Sequence, residues 1–192
     1  MITELKRGIV FTVVMMALVG GGYHGLVWGV GQAAFRDQAE GSLIRRADGT
    51  IVGSRLIAQR FTRDEYFQPR PSAGDYDAAS TGGSTLGPSN PGHLKAVRER
   101  LDAVMAREGA SAAQVPSEMV TTSGGGLDPH IPPDAADLQA PRVARARGIE
   151  VARVRGLIRA HTEGPQLGFL GRARVNVLEL NLSLDDTFGV RK

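Results

Sequence analysis

Residues 120–133 read VTTSGGGLDPHIPP and contain the residue types that anion binding, metal binding or acyl transfer requires. Glycines 124–126 follow Ser123, and the successive backbone amides of such a run can form a nest for a phosphate. Asp128 and His130 stand two residues apart, and both are metal-ligand types. Ser123 with His130 would supply a nucleophile and a base. A tight turn is the structural alternative to these three chemistries.

Each of the three chemistries lacks a part in this sequence. A phosphate-binding P-loop needs GxxxxGK[ST], whose lysine reaches the terminal phosphates, and no lysine follows these glycines. No second pair of His, Asp or Glu stands at ligand spacing, and no GxSxG nucleophile elbow occurs. We therefore expect a turn that Asp128 closes. Two alternatives stay open: a hydrolase using Ser123 or Ser84 with His130, and a nucleotide site. The residues of that nucleotide site would be Ser123, Gly124, Gly125, Gly126 and Asp128.

The composition bounds the class of protein. The 192 residues suffice for one anchored domain with a modest core. Lys and Arg number 23 against 20 Asp and Glu, a formal net charge of +3 that is spread too evenly for a nucleic-acid binder. The sequence has no cysteine, which excludes disulfides, thiolate nucleophiles and Cys-ligated zinc.

Residues 9–30 carry no Asp, Glu, Lys or Arg and predict one transmembrane helix. As a helix this segment is about 33 Å long, which matches the hydrocarbon core of a bilayer. A cleaved signal peptide is the alternative, but residues 31–34 offer only a loose small-x-small site. We predict a short tail at 1–8, a retained span at 9–30 and a soluble domain at 31–192. The flanking charges do not decide the orientation, and large domains translocate largely regardless of charge.

Small residues and one ionisable residue lie within the predicted span. Glycines let another helix approach closely, although they are also common in such helices for no specific reason. An imidazole inside a membrane is a functional candidate, and its alternative is a neutral ring bonded to a neighbouring helix. We expect the following residues to face partner helices: Gly21, Gly22, His24 and Gly25.

Local patterns predict the first elements of the soluble part. Asp48-Gly49 between two apolar runs predicts a β-hairpin. Residues 61–92 are rich in proline and glycine, and Phe61, Tyr66 and Phe67 indicate a loop that packs rather than a disordered one. Asn90 as N-cap, with apolar residues at helical spacing up to Gly109, predicts a helix.

The second half of the soluble part predicts both helices and strands. We expect a strand at 115–122, a helix within 131–148 that restarts at Pro141 and ends at Gly148, and a helix at 151–161. Alternating leucines at 178–185 predict a half-buried strand, so the fold class is α+β, or mixed α/β. Several arginines are expected to project outward as a solvated face, or as a docking surface for an acidic partner or lipid headgroup. They are Arg142, Arg145, Arg147, Arg153, Arg155 and Arg159.

Several motifs follow one another in an order that resembles one known family. The span is followed by GQ at 31–32, Phe35 and GSLI at 41–44, and then by YFQPRPSA at 66–73 and ASTGGSTLGPSNP at 79–91. The 120–133 stretch, RVARARG at 142–148 and LGFLGRARVNVLELNLSLD at 167–185 complete the series. Together they resemble the C subunit of the bacterial Kdp potassium-importing P-type ATPase over essentially the whole chain. Thr85, Gly125 and His24 depart from that family's pattern.

The resemblance implies an accessory subunit in the bacterial inner membrane, with one span and the bulk of the chain outside the cytoplasm. Its implied partners are a potassium-channel-like subunit, a P-type ATPase subunit and a small single-span subunit. The DKTGT motif that P-type pumps phosphorylate is absent here, so the chain forms no aspartyl-phosphate of its own. The family is also credited with raising the pump's affinity for ATP, and residues 123–126 resemble the signature loop of ABC transporters. Extracytoplasmic placement favours structural support over ATP contact.

Overall fold

The computed structural model describes residues 1–46 and 48–190 and divides the chain into two compact units, Met1–Ser54 and the part from Arg55 onward. The first unit is dominated by a helix over Ile2–Ala34. This helix comprises α1 (Ile2–Met15), a π-helical segment (Met16–Tyr23) and α2 (His24–Ala34). It is apolar and long enough to cross a membrane, and none of its apolar window is buried. The helix also includes most of the predicted tail.

A short helix and a β-hairpin complete the first unit. Helix α3 spans Arg36–Ala39, and strands β1 (Leu43–Arg45) and β2 (Ile51–Ser54) pair antiparallel. The Asp48 carboxylate accepts a hydrogen bond from the backbone N–H of Thr50 at 2.9 Å. The hairpin predicted from Asp-Gly is therefore confirmed, while Ala47 lies outside the described residues.

The second unit begins with a long loop and then alternates helices with short strands. The elements are α4 (Pro91–Glu108), 3₁₀ turns at Ala112–Gln114 and Ser117–Met119, β3 (His130–Ile131), α5 (Pro133–Arg147), α6 (Val151–Ala160), β4 (Thr162–Glu163), β5 (Arg174–Asn176) and α7 (Val177–Phe188). The strands form an antiparallel sheet in the order β3-β5-β4. The mixed α/β fold class is thus confirmed.

Helix α4 begins and ends at the local caps that the sequence predicted. The Asn90 side chain accepts hydrogen bonds from the backbone N–H groups of Gly92 and His93, and Pro91 occupies the first turn. Gly109 ends the helix in the left-handed conformation, φ +66°. The predicted start and end of this helix are both confirmed.

Helix α5 continues through Pro141 where the sequence predicted a restart. A proline within a helix removes one backbone hydrogen bond. Burial on both sides of Pro141 offsets that loss, because Ala140 and Val143 are completely buried and Ala144 nearly so. Gly148 ends the helix with φ +66°, as predicted.

The predicted strand at 178–185 is wrong, because these residues form α7. Alternating leucines satisfy the strand period, but the fully buried positions are Val177, Leu180, Asn181 and Leu184, which follow the helical spacing. The Asn176 side chain caps the helix by accepting from Glu179 N–H at 3.2 Å. Leucine is also a good helix former, so propensity and capping add to this burial, which outweighs the alternation.

The predicted strand at 115–122 is also wrong. Pro116 precedes a 3₁₀ turn at Ser117–Met119, and Thr121 N–H donates to the Ser117 carbonyl at 2.9 Å. The apolar residues of this segment still reach the core, where Met119 and Val120 are buried. Burial of a short apolar run does not distinguish a strand from such turns.

The first part of the loop at 61–92, around Tyr66 and Phe67, packs as predicted. Phe67 is completely buried, and the buried Asn181 amide bonds its backbone on both sides. The Asn181 oxygen accepts from Phe67 N–H at 2.8 Å, and its nitrogen donates to the Phe67 carbonyl at 3.0 Å. A buried polar side chain thereby takes the place of a strand partner for this irregular segment.

Candidate functional site

The stretch at 123–128 is a turn that its own side chains close. Ser123 is buried, and its hydroxyl accepts a hydrogen bond from Asp128 N–H at 3.4 Å. Gly126 N–H donates to the Ser123 carbonyl at 3.3 Å. The Asp128 carboxylate accepts from His130 N–H at 3.0 Å, which confirms the predicted turn-closing role.

Two glycine segments cross closely at this turn. Gly82 N–H donates to the Gly125 carbonyl at 3.1 Å. A Cβ added to Gly83 would lie 2.8 Å from the Gly124 carbonyl oxygen, and one added to Gly126 would lie 2.8 Å from the Gly82 carbonyl oxygen. Gly126 also has φ +71°, which side chains disfavour. Glycine at 83 and 126 is therefore a packing requirement.

Gly124 and Gly125 differ from Gly126 in their surroundings. Both are exposed, and a Cβ at either position would meet nothing within 4 Å. A ligand at these two positions would contact backbone, because glycine has no side chain. The nucleotide hypothesis stays a prediction for them.

Arg70 ties the turn to the preceding loop. Its Nη1 donates to Asp128 Oδ2 at 3.2 Å, and its Nη2 donates to the Thr122 carbonyl at 3.3 Å. The Tyr76 hydroxyl in turn donates to the Arg70 carbonyl at 2.8 Å. Burial acts to raise the pKa of Asp128, but hydrogen bonds from His130 and the charge of Arg70 outweigh it and hold this pKa below its ordinary value. Arg70 is thus already paired with a carboxylate.

The form of the hydrolase alternative that uses Ser123 with His130 depends on side chains of the same turn. His130 Nδ1 lies 3.6 Å from Asp128 Oδ1, whereas the Ser123 hydroxyl is buried and bonded to backbone. This carboxylate and imidazole are adjacent, but the serine does not present an exposed nucleophile. Among residues 1–46 and 48–190, no three His, Asp or Glu side chains are placed to hold a metal ion.

Two of the arginines predicted to project outward are buried instead. Arg142 Nε donates to both Glu108 oxygens at 3.0 and 3.1 Å, its Nη1 donates to the carbonyls of Asp64 and Tyr66, and its Nη2 donates to Gln139. Burial lowers the pKa of Arg142, and the Glu108 carboxylate opposes that effect. The outward prediction is therefore wrong for this residue, which stabilises the start of the long loop.

Arg147 forms a second buried cluster one and a half turns further along α5. Its Nη2 lies 2.7 Å from Asp185 Oδ1 and its Nε donates to the Glu65 carbonyl at 2.8 Å. Asp185 also accepts from the Tyr66 hydroxyl at 2.9 Å, and burial together with this carboxylate raises the pKa of Tyr66. The outward prediction is wrong for Arg147 too. Its partners are 38 and 82 residues away in the chain, so no local pattern could indicate them.

The four membrane-helix candidates are exposed along the helix surface. A Cβ added to Gly21 or Gly25 would meet nothing within 4 Å, and Gly22 has only a carbonyl of its own helix at 3.8 Å. His24 Nδ1 lies 2.8 Å from the Val19 carbonyl oxygen, so this ring is bonded within its own helix. The wide π turn at Met16–Tyr23 makes that contact five residues back possible.

One long apolar helix and a small mixed α/β domain are the architecture of a membrane-associated protein. The sequence model of the family KdpC, K+-transporting ATPase c chain, matches residues 5–186, so the chain belongs to this family. The resemblance drawn from the motifs is confirmed.

Several bacterial relatives have similar sequences over nearly their full length. One from Geobacter sulfurreducens is 50% identical over 185 residues, which cover 95% of this chain and 97% of the relative. One from Caulobacter sp. (strain K31) is 48% identical over 98% of this chain and 96% of the relative, and one from Sorangium cellulosum is 48% identical over 96% and 98%. Each is described as a potassium-transporting ATPase KdpC subunit.

Proposed function

We propose that this chain is the non-catalytic accessory subunit of an ATP-driven, high-affinity potassium import complex, needed for its assembly and stability. The observation that carries the proposal is family membership over residues 5–186, together with an apolar helix that is long enough to cross a membrane and is exposed within the described part of the chain. A helix without covering helices has its whole surface available to partner subunits.

The glycines of the helix are the proposed contact with partner helices. Gly21 and Gly25 are four residues apart, with open space above each Cα. Small residues at this spacing allow two helix backbones to approach closely, which is how membrane helices gain packing contacts. The proposed partners are the potassium-channel-like subunit, the P-type ATPase subunit and the small single-span subunit.

The proposed location is the bacterial inner membrane, with residues 31–192 outside the cytoplasm. The charges on the short segments that flank the helix do not fix its orientation, and large domains cross the membrane regardless of their charge. On this orientation the domain supports the transport subunits on the side from which potassium enters. An increased affinity of the pump for ATP would then arise through assembly.

Replacement of the two glycines tests the assembly role. Gly21→Leu with Gly25→Leu is expected to leave the chain's own fold unchanged, because a Cβ added at either position meets nothing within 4 Å. We expect the larger subunits to be lost from co-purification. Gly8→Leu is the matched control, since its site is equally open but lies outside the predicted span. Unchanged recovery with the double variant would contradict the proposed contact.

Direct nucleotide contact by the residues from Ser123 to Asp128 is a second candidate, which the exposed backbone of Gly124 and Gly125 favours. The test is labelling of the assembled complex by a photoreactive ATP analogue. Gly124→Val and Gly125→Val are informative because both sites are open, whereas Gly126→Val would disturb the turn itself. Labelling of this chain that disappears in both variants supports the site, and persistent labelling refutes it.

A further inference from the structure

Residues 78–89 form a strap that crosses over the turn at 123–126. The Gly82 N–H donates to the Gly125 carbonyl at 3.1 Å. Gly126 is buried at the crossing, where a Cβ added to it would lie 2.8 Å from the Gly82 carbonyl oxygen. The strap therefore covers one side of the turn.

Within the described part of the chain, the Gly82 bond is the one hydrogen bond that links the strap to a distant part of the domain. The others are local, such as that from Ser80 N–H to the Asp77 carbonyl at 3.2 Å. Apart from Gly83 and Ser84, every residue of the strap is exposed. Segments with so few buried contacts are the ones that open locally in a folded domain.

Both ends of the strap are fixed to the domain. Before it, the Tyr76 hydroxyl donates to the Arg70 carbonyl at 2.8 Å, and the Arg60 guanidinium lies over the Tyr76 ring. After it, Asn90 caps helix α4. Any movement is therefore confined to the residues between these two ends.

Backbone strain opposes the closed position of the strap. Thr85 has φ +54°, a left-handed conformation that non-glycine residues rarely adopt. It is exposed and its hydroxyl donates to the adjacent Ser84 carbonyl, so packing on the domain does not offset this strain. A lifted strap releases the strain but loses the Gly82 hydrogen bond. The two contributions are similar in size and opposite in sign, so neither position is strongly favoured.

We propose that the strap is a latch that lifts from the turn while the rest of the domain stays folded. Gly124 and Gly125 are exposed with the strap closed, whereas Gly126 becomes accessible only when it lifts. The strap thus sets how much of the turn faces solvent. The turn itself persists in the lifted state, because Arg70 holds Asp128 from outside the strap at 3.2 Å. This motion belongs to the domain alone and does not depend on the accessory role proposed above.

Two glycines of the strap provide a matched pair of variants. Neither Gly82 nor Gly83 lies in the left-handed region, so alanine fits the backbone at both positions. A Cβ at Gly83 would lie 2.8 Å from the Gly124 carbonyl oxygen, whereas a Cβ at Gly82 would meet nothing within 4 Å. Gly83→Ala should therefore force the crossing apart, and Gly82→Ala should leave it intact.

The first measurement is the separation of two spin labels in the full-length chain. The chain has no cysteine, so labels can be placed through Gly87→Cys on the strap and Ala152→Cys on the exposed face of α6. We expect Gly83→Ala to raise the ratio of lifted to closed strap about tenfold over Gly82→Ala, as loss of one hydrogen bond allows. Identical distance distributions in the two variants contradict the latch.

The second measurement is digestion by thermolysin, which cuts before large apolar residues and can reach Leu86 in the strap. Cleavage tracks the population of the open form, so Gly83→Ala should be cut there about tenfold faster than Gly82→Ala. In the wild-type chain this cut should precede any cut at the completely buried Leu180, which needs unfolding of the core. Equal rates in the two variants, or wild-type cuts at Leu86 and Leu180 that proceed together, overturn the proposal.

Discussion

Replacement of Arg142 by methionine should strongly destabilise the domain. Arg142→Met keeps most of the side-chain volume but removes the donors to Glu108, Tyr66 and Asp64. The Glu108 side chain is fully buried, so the change leaves a carboxylate in the interior with one cation fewer. It also leaves the loop carbonyls without a donor.

The size of the effect follows from the geometry. Removal of one partner of a buried ion pair costs about 3–5 kcal/mol. Arg107 Nε also donates to Glu108, at 2.8 Å, and this second cation puts the expected cost near the lower end, about 3 kcal/mol. For a domain of this size, that corresponds to a thermal midpoint lower by about 10 °C.

The assay is thermal unfolding of the full-length chain in detergent, followed by far-ultraviolet circular dichroism. Arg145→Met is the matched control, because Arg145 lies on the same helix but is exposed. We expect the control to differ from the wild type by less than about 0.5 kcal/mol. If Arg142→Met unfolds at the same temperature as Arg145→Met, the buried cluster does not stabilise the fold and the reasoning is refuted.

Three further predictions concern the turn and the orientation. Asp128→Asn should destabilise the chain at neutral pH. Because the folded-state pKa of Asp128 lies below the unfolded value, the difference in stability between variant and wild type should shrink as the pH falls from about 4 through that lowered pKa. A pH-independent difference in urea titrations would contradict this. Gly126→Ala should lower the thermal midpoint while Gly125→Ala leaves it nearly unchanged, and equal midpoints would show that the close crossing with Gly82 is not needed. The chain has no cysteine, so a single introduced cysteine reports its own position. Ser89→Cys should react with a membrane-impermeant maleimide in cells with an opened outer membrane, whereas Thr3→Cys should react only after lysis. The reverse pattern would place the domain in the cytoplasm.

Elements with strong local chemistry could be predicted from the sequence. The hairpin at Asp48-Gly49 and the two ends of α4 depend on residues within a few positions of each other, so caps and turn residues sufficed. The turn at Asp128 likewise needed only the backbone N–H of His130, two residues away. For these elements, propensity and tertiary structure agree.

Other features depended on contacts that local patterns do not encode. The leucines at 178–185 alternate as in a strand, whereas the decisive contact of Asn181 is with Phe67, 114 residues earlier. Arg142 and Arg147 carry the same charge as exposed arginines nearby, and only the folded position of Glu108 and Asp185 distinguishes them. Tertiary burial decided both outcomes.

The most direct test of the central claim is ATP hydrolysis by the purified complex with and without this chain. We predict that the full-length chain alone hydrolyses no ATP, that the complex prepared without it loses assembly and potassium-stimulated hydrolysis, and that supplying the chain restores both. Hydrolysis by the isolated chain, or an equally active complex in its absence, would contradict an accessory, non-catalytic role.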